Sequence, residues 1–291
     1  MHIQDGLLMV TRRHLTFTCL LGVLFASSAY GEDLVDLGGD VDTSLRDEIA
    51  DRFVVFYAKD LPTGSVFAYR PEAVDVRHPP FSSFKIPNLL IALETGVAHS
   101  LDHERVWDPQ RRPPEAYWPD DWRENQTLET AFRRSVPWYF QDIAKEIGGA
   151  RYRDALTRFG YGNVAVPDGD DSFWLGGPLE ISPREQVAFI ERLLLGQLDL
   201  RPATIDAIRA VSVLSETAGY VLHGKTGSGP VVPGQFDGAF EGWLVGWVEK
   251  PDGNTVAFAL YVRGPSFESI NAFRYEMSAR FLRAIGALPE A

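Results

Sequence analysis

The apolar residues of this chain change period twice, and the order of those changes limits the folds open to it. Residues 52–57 are β-branched and aromatic, which predicts a strand; Leu61-Pro62-Thr63-Gly64 predicts a turn and residues 65–69 the return strand. Residues 87–97, 128–147, 152–159 and 184–195 then show helical spacing, with Gly148-Gly149 as a stop. Residues 242–249 return to strand character, and Pro251-Asp252-Gly253-Asn254 predicts a turn into a partner strand at 255–262. Ile270, Phe273, Met277, Phe281, Leu282 and Ile285 close the chain at helical spacing. Strands at both ends must find each other across the helical block. The expectation is an α+β fold: one antiparallel sheet flanked by N- and C-terminal helices, with a helical lobe inserted and a cleft between the two parts.

With 291 residues, 45% of them hydrophobic, the chain can bury one sizeable core, and it shows no internal repeat or low-complexity linker. The formal net charge of −12 argues against partners with phosphate backbones and against docking on anionic membranes. The basic cluster Arg12-Arg13-His14, an apolar run over 15–26 and the small residues of Ser27-Ser28-Ala29-Tyr30-Gly31 fit a secretory signal cleaved near Gly31, with Met1 or Met9 as its start. Residues 1–31 are thus a signal peptide and 32–291 a single domain, exported to the periplasm. The apolar run is too short for a stable membrane span. The one cysteine, Cys19, falls inside the signal, so the mature domain has no disulfide and no thiolate ligand. Nothing in the pattern fixes the oligomeric state, a homodimer included.

Two motifs carry chemistry. In Ser82-Ser83-Phe84-Lys85 the serine and lysine stand three apart at a helix start, on one face. A serine hydroxyl needs a base, and a lysine serves only when burial keeps it from holding its proton. Alone the motif is weak. The second motif is Lys225-Thr226-Gly227, within His223-Gly224-Lys225-Thr226-Gly227-Ser228-Gly229. It offers a cation, a hydroxyl donor and glycines that admit close approach. The window 219–226 matches a phosphate-loop expression in letters, but Tyr220-Val221-Leu222-His223 is no glycine-rich loop and no helix follows. Ser-x-x-Lys with a distant Lys-Thr-Gly is the pairing of penicillin-recognising serine enzymes.

The chain resembles the class D (oxacillinase-type) serine β-lactamases. The resemblance rests on Phe81-Ser82-Ser83-Phe84-Lys85, Ser135-Val136-Pro137, Tyr161-Gly162-Asn163, Phe173-Trp174-Leu175 and the strand Gly242-Trp243-Leu244-Val245-Gly246-Trp247. These stand in the family's order and span nearly all of the mature chain. The resemblance implies the penicillin-recognising serine transferase fold and hydrolysis of small-molecule β-lactams through an acyl-Ser82 intermediate. It implies that Lys85 is carboxylated by carbon dioxide or bicarbonate and acts as general base, with no metal or other cofactor. Trp174 would hold that carboxyl group and Leu175 would wall it. Ser135 and Lys225 would pass a proton to the leaving nitrogen, and the amides of Ser82 and Ser228 would form the oxyanion hole. Thr226, Gly227, Ser228 and Arg274 would bind substrate, Arg274 being preferred over Arg263 as partner of the substrate carboxylate.

Two positions depart from the family: Pro137 stands where a valine usually shields the lysine, and Gly176 where an acid is common. A β-lactam sensor or penicillin-binding domain, acylated at Ser82 without efficient turnover, is the alternative reading. Tyr161-Gly162-Asn163 reads as structural, and His99 and His103 lack a third ligand for zinc. Trp107, Trp118 and Trp122 either rim the cleft or pack under a loop.

Overall fold

The computed structural model describes residues 34–39, 47–49 and 51–290. The segment expected to be a signal, residues 1–31, lies outside the described residues. Seven strands form one sheet: β1 (Leu34–Asp36), β2 (Phe53–Asp60), β3 (Val66–Tyr69), β6 (Val213–Thr217), β7 (Tyr220–Pro230), β8 (Phe240–Glu249) and β9 (Thr255–Gly264). Their spatial order is β1-β3-β2-β9-β8-β7-β6, so the two ends of the chain meet where β2 pairs with β9. Every pairing is antiparallel except β1 with β3, a short parallel edge absent from the expectation.

Both faces of the sheet are covered, which is why β8 and β9 read as near-continuous apolar runs. One face, with Val54, Phe56, Leu244, Phe258 and Leu260, packs under Met277, Phe281 and Leu282 of the last helix. The other, with Val55, Val245, Ala257 and Ala259, joins the core of the helical lobe. That lobe holds α1 (Lys85–Glu94), α2 (Leu128–Arg133), α3 (Pro137–Ile147), α4 (Gly149–Phe159), α5 (Pro183–Leu194) and α6 (Pro202–Ser212), with a small ribbon of β4 (Glu104–Arg105) and β5 (Gln126–Thr127).

Three expectations change at element boundaries. The helical stretch over 128–147 is two helices, because Pro137 opens α3 at its first position and Ser135 before it is left-handed, at φ 65°. The closing stretch is likewise α7 (Phe267–Asn271) and α8 (Phe273–Ala284). Helix α6 and the fully exposed strand β6 lie in a stretch whose pattern predicted neither.

Candidate active site

A 3-10 turn, Phe81–Phe84, leads directly into α1. Every residue from Lys85 to Leu93 is buried, as expected of a helix apolar on all sides. Lys85 is therefore 0% exposed, while Ser82, one turn earlier, is half-buried and open to the cleft. Lys85 Nζ donates to Ser82 Oγ at 2.8 Å. Burial, and then the charge of Lys225, push the Lys85 amine well below the usual lysine range. Burial thus favours the uncharged amine, the form that can take a proton from the serine. The turn itself is fixed from outside: Phe81 N donates to Trp174 O at 2.9 Å, and Ser83 Oγ donates to Pro80 O at 2.7 Å while accepting from Gln186 Nε2 at 3.1 Å.

Ser135 reaches the same cleft from the α2–α3 turn. Lys225 Nζ, on β7, donates to Ser135 Oγ at 3.0 Å and to Thr226 O at 3.2 Å. Lys225 is buried, and burial followed by the charge of Arg274 lowers it to about 7. Two lysines and two serines thus form two hydrogen-bonded pairs, Lys85–Ser82 and Lys225–Ser135.

Close approach of β7 to the nucleophile turn depends on Gly227. A Cβ there would lie 2.5 Å from Pro80 O, 2.7 Å from Ser83 N and 2.9 Å from Ser82 N. Ser228 follows, half-buried and paired with Gly242. Arg274, on α8, is 5% exposed and reaches β7, where its Nη1 donates to Gly227 O at 3.1 Å. Its Nη2 donates to Asn271 Oδ1 at 2.8 Å, and burial lowers it to about 10. Arg263 stands two strands away on β9, outside this group.

Trp174 stacks on Phe84, the neighbour of Lys85, with ring centroids 5.3 Å apart. Its Nε1–H is buried without a partner, at a cost of about 1–3 kcal/mol. Leu175 beside it is half-buried against the lobe core. Arg112 ties this loop down by pairing with Asp142 at 2.9 Å and Asp171 at 2.7 Å. An orphaned donor on the ring stacked against Phe84, and a fully buried Lys85 amine whose pKa is lowered, fit a carboxyl group carried on Lys85.

Sequence reasoning missed the aromatic cover of the two lysines. The Phe140 ring lies 5.3 Å from Lys85 Nζ and the Phe132 ring 5.8 Å from Lys225 Nζ. Pro137, the residue weighed as the shield, is half-buried at the first turn of α3, and Phe140 follows one turn later. Reading the helix break at Pro137 would have set Phe140 on the cleft face. Asn271, which orients Arg274, gave no signal at all.

The remaining candidates are structural. Asn163 pins the loop by donating to Pro178 O and accepting from Glu180 N, at 2.8 and 3.0 Å. The His99 and His103 rings stand 5.5 Å apart, and among the described residues no group of three or more His, Cys, Asp or Glu could hold a metal. Trp118 is buried, and Trp107 and Trp122 pack half-buried against the core. Trp122 Nε1 donates to Arg134 O at 2.9 Å, next to Ser135.

A half-buried serine on a fully buried lysine of lowered pKa, backed by a second lysine–serine pair, defines a serine acyl-transfer centre. The comparisons agree with that class. The model of the penicillin binding protein transpeptidase domain matches residues 53–286. A probable β-lactamase, YbxI of Bacillus subtilis, is 32% identical over 231 residues, covering 79% of this chain and 81% of its own. The regulatory protein BlaR1 of Bacillus licheniformis is 34% identical over 190 residues, but only 30% of its length is matched. The solved class D β-lactamase YbXI from Nostoc superposes with a TM-score of 0.75 at 30% identity, covering 84% of this chain and 98% of that one. The chain belongs to the penicillin-binding transpeptidase family, in its class D β-lactamase branch.

Proposed function

We propose that this chain hydrolyses β-lactams through an acyl-Ser82 intermediate, with Lys85 as the general base. The observation that carries the reading is the 2.8 Å contact between Ser82 Oγ and the fully buried Lys85 amine. Ser82 Oγ attacks the lactam carbonyl as its proton leaves toward Lys85. The carbonyl oxygen becomes negative and is received by the amides of Ser82 and Ser228. The ring C–N bond breaks, and the leaving nitrogen takes a proton through Ser135, whose hydroxyl is backed by Lys225 at 3.0 Å. The substrate carboxylate is bound by Arg274 and the Thr226 hydroxyl, with Gly227 leaving it room. Water then cleaves the acyl ester and Ser82 recovers its proton. A carboxyl group added to Lys85 Nζ from carbon dioxide would supply an anionic base there, with Trp174 Nε1 as its donor and Leu175 as its apolar wall. We assign residues 1–31 to a cleaved signal and the domain 32–291 to the periplasm. The basic cluster and apolar run of the first thirty residues support this. Among the described residues, no helix is long and apolar enough to cross a membrane.

Similarity to a regulatory protein keeps one second reading: acylation without turnover. A chromogenic cephalosporin separates the two. The mature protein is expected to turn it over repeatedly, faster with added bicarbonate, and Ser82→Ala to leave no activity. One stoichiometric burst followed by a stable acyl-enzyme would sink the hydrolase reading in favour of the sensor.

A further inference from the structure

Behind the segment that delivers Ser82 lies a second cavity, of about 560 Å³, within the size range of small-molecule sites. Strand register places it at one end of the sheet. Phe53 of β2 faces Arg263 of β9, which faces Glu241 of β8. The walls are flat and apolar. Phe53 and Tyr261 meet edge to face with centroids 6.5 Å apart, His78 lies on Tyr261 at 3.8 Å with the ring planes 12° apart, and Val76 and Pro265 also line the cavity.

The polar groups at this cavity are unevenly satisfied. Tyr261 donates its hydroxyl to Glu241 Oε2 at 2.6 Å, and Asp51 pairs with Arg52 at 3.1 Å. His78 Nδ1 faces Glu241 Oε2 at 3.6 Å, but His78 Nε2 is buried and has no partner. Burial, and then the charge of Arg263, lower His78 to about 4, so the ring is neutral near pH 7. Burial raises the Glu241 carboxyl, while the Tyr261 hydrogen bond and the charge of Arg263 pull it the other way. Arg263 is exposed on the lining, and its guanidinium makes no hydrogen bond or ion pair among the described residues. The cavity thus offers, between aromatic walls, one unused imidazole nitrogen and one exposed guanidinium that faces Glu241 across the strands but makes no hydrogen bond to it.

We propose that this cavity binds a small planar carboxylate, an aromatic monoacid. Its carboxylate would take the Arg263 fork in bidentate fashion and its ring would pack against Phe53, Tyr261 and Val76. The site is separate from the Ser82–Lys225 cleft. Trp243 stands at the boundary, 5.0 Å from the Tyr261 ring and donating its Nε1–H to Pro79 O at 2.9 Å. The proposal does not rest on the β-lactam reading.

Benzoate is the probe, titrated into the mature protein by calorimetry and by amide chemical shifts, with benzamide as the neutral match. One saturable site is expected. Binding should weaken about tenfold for benzamide and for Arg263→Gln, the loss of roughly one charge-assisted contact. Arg274→Gln, which removes the guanidinium of the catalytic cleft, should bind benzoate like the parent. Ala239→Trp, placing an indole in the cavity, should abolish binding while its melting temperature reports that the fold is kept. Three results overturn the proposal: no saturable binding, equal affinity for benzamide, or binding that survives Arg263→Gln but is lost in Arg274→Gln.

Discussion

Lys225 Nζ donates to Ser135 Oγ at 3.0 Å while Ser135 holds a left-handed backbone, at φ 65°. A serine in that region costs about 1–3 kcal/mol unless its surroundings impose it. Here Val136 N bonds to Ala131 O and Pro137 opens the next helix, so the chain must turn sharply at Ser135. The strain aims the hydroxyl at β7. Ser135→Gly removes the strain and the hydroxyl together. The variant is expected to be as stable as the parent or about 1 kcal/mol more stable. Its acylation rate should fall by about 10²–10⁴-fold, as for the loss of a proton-transfer group. Thermal melts and stopped-flow acylation check both halves. A variant that acylates at the parental rate would remove Ser135 from the proton path.

The lowered lysines make a statement about stability against pH. Lys225 is held at about 7 by burial, well below its ordinary 10.5. Below pH 7 both the folded and unfolded chains carry the proton, and no slope arises from this residue. Between 7 and the ordinary lysine range the unfolded chain binds more protons, so stability rises with pH. The limit is about 1.4 kcal/mol per pH unit for one group. In bicarbonate-free buffer the melting temperature from pH 7 to 9 should therefore climb less steeply in Lys225→Met than in the parent. Identical slopes would show that Lys225 is not a neutralised group in the folded state.

Trp174 can be tested apart from activity. Trp174→Phe keeps an aromatic ring on Phe84 and removes the buried, unpartnered Nε1–H. The unmodified protein should tolerate the change without loss of stability, since the orphaned donor costs about 1–3 kcal/mol. Carboxylation of Lys85, followed by ¹³C NMR with labelled bicarbonate, should need about tenfold more bicarbonate, because the carboxyl group loses a hydrogen bond to it. If the carbamate signal saturates at the parental concentration, Trp174 has no part in holding it.

Ser82 and Lys85 were legible because a helix puts positions three apart on one face, and Lys225 because its glycines mark a strand that must approach something. The meeting of β2 with β9 followed from strands stranded at both ends of the chain. What escaped was set by tertiary packing. Phe140 covers Lys85 only because Pro137 restarts the helix at a new angle, and the continuous apolar spacing over 128–147 hid that break. Strand β6 carries no buried residue, so no apolar pattern could announce it. Asn271 orients Arg274 by a local side-chain contact that any polar residue on α7 would have suggested equally.

Gly227 gives the sharpest test of how tightly the two lobes must close. Its backbone needs no positive φ, so alanine is conformationally acceptable there. The obstacle is contact alone: the added methyl would stand 2.5 Å from Pro80 O and within 3 Å of the amides of Ser82 and Ser83. All three are backbone atoms and cannot swing aside. Relief requires β7 to move away from the nucleophile turn, which draws Ser228 from Ser82 and Lys225 from Ser135. Gly227→Ala is therefore expected to cost about 1–3 kcal/mol in stability, the usual range for overpacking. It should also cost at least about 100-fold in acylation, the effect of losing an oxyanion donor. Burst kinetics with a chromogenic cephalosporin would separate the steps. Both steps use the oxyanion amides, but acylation should slow more, because it alone also needs Lys225 and Ser135 to protonate the leaving nitrogen, while the Ser82–Lys85 contact lies within one helix turn. A variant slowed only in deacylation would mean that β7 serves the second step and not the first.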